Sequence, residues 1–133
     1  MEIVFIIIGN ELLNGKIRDL NSHFLGKTLM SSGYTLDRIF IIGDDEAHFT
    51  KTMDHLFQND ECMIFISGGL GPTKDDITKT ILSRFFQSSI EYNKEAEEVV
   101  LSHFKRNERK YNKDFMHYHM MPKNFTPLYN PVG

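Results

Sequence analysis

Gly68, Gly69 and Gly71 stand just ahead of the adjacent acids Asp75 and Asp76 in the stretch SGGLGPTKDDIT. Glycines let an anion approach the backbone, and the unpaired amides and dipole of a helix amino terminus attract it, so this bend suits a phosphate if it joins a strand to a helix. Two familiar phosphate signatures are excluded. A P-loop needs Lys followed by Ser or Thr, whereas Lys74 is followed by Asp75, and a dinucleotide fingerprint would place glycine at position 74. Two acids would repel a bare phosphate unless a cation lay between them, which points to phosphate together with a divalent metal. The plainer alternative is a tight turn followed by a capping box, with Asp76 returning a hydrogen bond to Thr73.

Further acids fall in two other connections, Glu11 in Gly9–Asp19 and Asp44 and Asp45 in Gly43–Glu46. Asp44 and Asp45 also suit helix N-caps. Capping does not explain why all three connections are enriched together. Several carboxylates beside a phosphate cradle are what a cation bridging a pyrophosphate requires.

These loops need a scaffold that brings them together. The apolar runs Ile3–Ile8, Ile39–Ile42 and Met63–Ile66 are short and β-branched, as in strands buried on both faces of a parallel sheet. Between them, Phe24, Leu25, Leu29 and Met30 repeat at helical spacing before Gly33, a C-terminal cap, and Phe49, Met53, Leu56 and Phe57 repeat after Asp44. Alternating strands and helices predict an α/β fold with a mostly parallel sheet, helices on both faces and ligands at the carboxyl ends of the strands. All three loops leave those ends.

The bulk numbers agree with one ordinary domain. The chain has 133 residues, 41% hydrophobic and 25% charged, which excludes a disordered or fibrous protein. A net charge of −3 with scattered basic residues argues against nucleic-acid binding. Ile3–Ile8 is too short to span a bilayer and lacks a basic flank, so neither a membrane segment nor a secretory signal is expected and the cytoplasm is the default compartment. The single cysteine, Cys62, reads as a buried core thiol.

In the second half, Asn93 caps a predicted helix running to about Lys110, with acids at its start and Lys105, Arg106, Arg109 and Lys110 at its end, complementing the dipole. Phe85, Phe86 and Phe104 read as core. His117 and His119 have no evident third ligand nearby, so helix-end packing is favoured over a metal site. PKNFTPLYNPVG reads as turns and an edge strand.

GNELLNGKIRDLNS (9–22), IIGDD (41–45), SGGLGPTKDDIT (67–78) and MPKNFTPLYNPVG near the end resemble the amino-terminal domain of the competence and damage-inducible CinA family, within the MoaB/Mog-like molybdopterin-binding superfamily. The resemblance covers nearly the whole chain. It implies a three-layer α/β/α sandwich, a single domain over 1–133 lacking its last elements, and a homo-oligomer of two or three copies. The family pattern continues past position 133 with a glycine-containing loop, a strand and a helix, and full CinA proteins add an amidase-type domain.

The resemblance also implies chemistry. In the superfamily GGxG binds the phosphate of a pterin or nucleotide, an aspartate matching Asp76 lies at the active site of the molybdopterin adenylyltransferases, and a second matches Asp44. CinA-type domains are associated with metal-dependent hydrolysis of ADP-ribose. Leu70 departs from the GGTG of the adenylyltransferases, which favours the CinA branch. The expected site therefore has Asp44 and Asp76 as catalytic residues, with Asp75 joining them as ligands of Mg²⁺, Mn²⁺ or Co²⁺. Gly68, Gly69, Leu70, Gly71 and Thr73 would cradle phosphate, and Glu11 and Asn21 would close the opposite wall. The expected activity is a nucleotide pyrophosphatase. The alternatives are molybdopterin binding with adenylyl transfer, and a non-catalytic domain that holds a pterin or nucleotide.

Overall fold

Residues 1–58, 61–71, 77–108 and 110–128 are described in a computed structural model, with the side chains of 113 and 114 left aside. The chain divides into two compact units, Met1–Gly69 and Leu70–Gly133.

The first unit holds three parallel strands in the order β2-β1-β3, namely β1 (Glu2–Ile8), β2 (Arg38–Ile42) and β3 (Cys62–Ser67). The central strand has neighbours on both edges, Val4 lying opposite both Arg38 and Ile64. Ile3 through Ile8 are all buried, so the uninterrupted apolar run belongs to a strand covered on both faces. That expectation fails for β3, where Met63 is exposed and no residue is fully buried, and for β2. Ile39 and Ile41 are exposed while Ile42 is buried, because successive side chains of this outer strand alternate between faces. Cys62 is likewise half-buried at the start of β3, not a core thiol, although partial burial still raises its pKa.

Two longer helices connect these strands. In α2 (Asn21–Ser31) Leu25 and Leu29 are half-buried, but no residue is fully buried. At 3.6 residues per turn Phe24 and Met30 point roughly 120° to either side of that pair, which leaves both exposed. The helix ends as expected at Gly33, with φ +81°. Gly33 N–H donates to Met30 O at 3.1 Å and Tyr34 N–H to Leu29 O at 2.9 Å, a Schellman motif. Helix α3 (Glu46–Leu56) buries Phe49, Met53 and Leu56, whereas Phe57 lies past its end and is exposed. A single helical turn, α1 (Asn10–Leu13), interrupts the first connection, which the sequence reading treats as loop throughout.

The second unit contains α4 (Thr78–Phe85), an antiparallel pair of β4 (Ile90–Tyr92) and β5 (Met120–Pro122), α5 (Lys94–Arg106) and a 3₁₀ helix (Lys113–His119). Asn93 caps α5, accepting from Ala96 N–H at 2.9 Å. The helix stops four residues short of Lys110, because Glu108 adopts φ +53° and Asn107 turns its amide onto His103 O at 2.9 Å. Phe85 and Phe104 are half-buried and Phe86 is exposed; they pack edge-on against neighbouring rings instead of forming a sealed core. His119 is buried, stacked on Tyr111 with ring centroids 5.4 Å apart. Its Nε2 lies 3.3 Å from the Tyr111 hydroxyl and its Nδ1 3.8 Å from a Glu97 carboxylate oxygen, as packing at a helix end requires. No helix among the described residues is long and apolar enough to cross a membrane.

Candidate functional site

Parallel strands aim their carboxyl ends the same way, so the connections after β1, β2 and β3 leave from one edge of the sheet. Hydrogen bonds tie the first two together. Asn10 N–H donates to Asp44 Oδ2 at 3.3 Å, and Asp44 N–H donates to Asn10 Oδ1 at 3.3 Å. Asp44 makes no other hydrogen bond among the described residues, which leaves its second carboxylate oxygen uncommitted.

Asp45 has a different task. Its carboxylate accepts from His48 N–H at 2.9 Å as the N-cap of α3, and that bond lowers its pKa. The two neighbouring acids thus divide the work.

A cavity of about 280 Å³ opens beside the ends of β1 and β3, with Glu11, Arg18, Asn21, Ser67 and Gly68 in its wall. Asp19 holds the first turn of α2 in place, accepting from Ser22 N–H at 3.0 Å and from the Ser22 hydroxyl. Asn21, the first residue of that helix, is thereby placed in the cavity wall. The side chains of Glu11, Arg18 and Asn21 make no hydrogen bond among the described residues, and Ser67 Oγ is buried without a partner there. Buried hydroxyls are normally bonded, so a lone one in a cavity wall marks a place for a ligand or water.

Gly68 has φ +90°, and a Cβ added there would collide with the Ile8 carbonyl oxygen. Gly69 follows at φ +59°. Only glycine permits this turn against the neighbouring strand.

The described residues therefore bring Glu11, Asn21 and Gly68 to one cavity, with Asp44 clamped to the connection that carries Glu11. Gly69 follows Gly68 but is not part of the wall, while Leu70 is exposed and Gly71 half-buried at the start of the second unit. Thr73, Asp75 and Asp76, and with them the capping box, lie outside the described residues. Arg18 and Ser67 are additions that sequence reasoning did not single out. A hydroxyl closing an apolar strand was the available sign for Ser67; Arg18 had none.

A parallel α/β sheet with a cavity at its carboxyl edge, where such folds place their ligand sites, defines the class of domain. The chain belongs to the MoCF_biosynth family, described as "Probable molybdopterin binding domain", whose model matches residues 4–131. It is 35% identical over 137 residues to a CinA-like protein of Flavobacterium psychrophilum, covering 100% of this chain and 32% of that relative. The chain thus spans about a third of the length of the curated relatives it matches.

Solved structures agree on the α/β fold. A CinA protein of unknown function from Thermoplasma acidophilum superposes with a TM-score of 0.78 at 26% identity, covering 99% of this chain and 76% of that one. MoaB from Thermus thermophilus, a molybdopterin biosynthesis enzyme, superposes with a TM-score of 0.60 at 14% identity, covering 90% of this chain and 70% of that one.

Proposed function

We propose that this chain binds a phosphorylated nucleotide at the carboxyl edge of its sheet and, in the manner of the CinA branch, hydrolyses the pyrophosphate of ADP-ribose or a related dinucleotide. The observation that carries the reading is the cavity whose wall collects Glu11, Arg18, Asn21 and Ser67, side chains that make no hydrogen bond among the described residues. In this reading Gly68 lets the ligand approach the backbone, and Gly69, Leu70 and Gly71 offer N–H groups to phosphate beside the Thr73 hydroxyl. Glu11 and Asn21 take the ribose or base.

Asp44, Asp75 and Asp76 would hold Mg²⁺, Mn²⁺ or Co²⁺, all suited to hard oxygen donors. The uncommitted oxygen of Asp44 fits this use. Among the described residues no group of three ligating side chains occurs, so the set depends on Asp75 and Asp76. When bound, the cation would neutralise the pyrophosphate and acidify a water.

The test is incubation with ADP-ribose and each cation, followed by chromatography for AMP. Metal-dependent AMP release that falls at least about a hundredfold in Asp76→Asn supports the proposal, in line with the usual contribution of such groups. Release that Asp76→Asn and Asp44→Asn leave unchanged overturns the assigned roles, and no release from the longest natural form of the chain overturns the activity.

The family description, which names molybdopterin binding, supports a second reading with a pterin ligand, to which the resemblance to the adenylyltransferases would add adenylyl transfer. Tight pterin binding with ATP-dependent adenylylation would select it, whereas thermal stabilisation by nucleotide or pterin without turnover would select a non-catalytic binding domain. We further propose a cytoplasmic dimer or trimer, which fractionation and analytical sedimentation would test.

A further inference from the structure

We propose that the second unit carries a slot for a planar aromatic carboxylate, formed between α5 and the 3₁₀ helix and sharing no residue with the cavity described above. Helical periodicity builds one wall. On α5, Val99 and His103 form one row at i and i+4, and Val100 and Phe104 form the next. The 3₁₀ helix has three residues per turn, so Phe115 and Tyr118 eclipse one another. Their rings are stacked, with centroids 6.1 Å apart and an interplanar angle of 14°, so the facing wall presents near-parallel aromatic rings. Phe104 meets Phe115 with centroids 4.8 Å apart.

With Lys110, these residues enclose about 520 Å³, within the range of roughly 300–1,000 Å³ usual for small-molecule sites. The lining is apolar and aromatic apart from two groups. Among the described lining residues, His103 and Lys110 are the only ones able to carry positive charge, and no carboxylate accompanies them. Lys110 makes no ion pair or hydrogen bond among the described residues.

The ligand class follows from that complementarity. Near-parallel rings in the wall reward a ring that can stack on them or meet them edge-on. The Lys110 ammonium, without a partner among the described residues, rewards one anionic group, since charge-assisted hydrogen bonds are the strong ones. Aliphatic anions would forgo the wall. Aromatic cations would meet like charge.

The test uses the 133-residue chain with 2-naphthoate, and 2-naphthol as the neutral match, followed through valine methyl signals by nuclear magnetic resonance. The expected result is that naphthoate shifts the Val99 and Val100 methyls and binds about tenfold more tightly than naphthol, the size of one charge-assisted contact. Lys110→Gln, a change at an exposed side chain, is expected to abolish that preference while leaving naphthol binding and the melting temperature in place. Val100→Trp is expected to fill the slot and remove both ligands. Equal affinity for the two probes, or shifts confined to other residues, overturns the proposal. So does failure of naphthoate to bind while the valine methyls show contacts to a second copy, which would make the slot a protein interface.

Discussion

Asn10 and Asp44 exchange backbone-to-side-chain hydrogen bonds, each side chain accepting from the other residue's N–H at 3.3 Å. This reciprocity separates charge from geometry. Asp44→Asn retains a carbonyl acceptor for Asn10 N–H, so it is expected to leave stability nearly unchanged while abolishing metal-dependent turnover. Asp44→Ala removes the acceptor and is expected to lower stability by about 1 kcal/mol as well. Urea titration of both variants beside the activity assay checks the contrast.

Gly68→Ala is expected to be severely destabilising, by about 2 kcal/mol or more, since a positive φ and a collision with backbone act together. A fall in the denaturation midpoint at constant m-value would report it.

The hydroxyl of Ser67 behaves in the opposite way. Ser67→Ala removes a buried group that has no partner among the described residues, so stability is expected to stay level or rise by about 1 kcal/mol. Ligand affinity is expected to fall about fivefold, the worth of one lost hydrogen bond near 1 kcal/mol. Calorimetry with ADP-ribose, or with whichever nucleotide proves to bind, measures that loss.

Asp45 gives a pH dependence with a definite sign. Its bond to His48 N–H lowers the folded pKa below the ordinary value of 3.8. The unfolded chain therefore takes up a proton first as pH falls. The cap's contribution is fully present above pH 3.8 and is lost as pH drops through the folded pKa beneath it. Asp45→Asn keeps a capping oxygen without the titration. Its melting temperature is expected to fall less steeply than that of the parent on acidification below pH 3.8.

Much of this arrangement is legible in residue patterns, for reasons that also explain the failures. The three apolar runs predict the parallel strands because only strands covered by other layers tolerate such runs, yet Ile39 and Ile41 show that a run cannot tell a central strand from an outer one. One turn of helix at Asn10–Leu13 and a three-residue strand at Ile90–Tyr92 are too short to display a period. The end of α5 is set by a left-handed Glu108, which no composition signals. In the site, Glu11, Asn21 and Gly68 are recognisable from loop chemistry and from the family pattern. Arg18 becomes visible only when the folded chain places it in the cavity wall.

The buried central strand also bears on how the chain reaches its fold. Val4 finds its partners at Arg38 and Ile64, so Ile3–Ile8 has no sheet to enter until a long stretch of polypeptide has been made. Contacts this distant in sequence form slowly. Meanwhile the segment IVFIII is uncharged, β-branched and free of proline, the composition of a self-associating strand. Inclusion-body formation on rapid expression, relieved by slower synthesis or a chaperone that shields this segment, is the expected outcome.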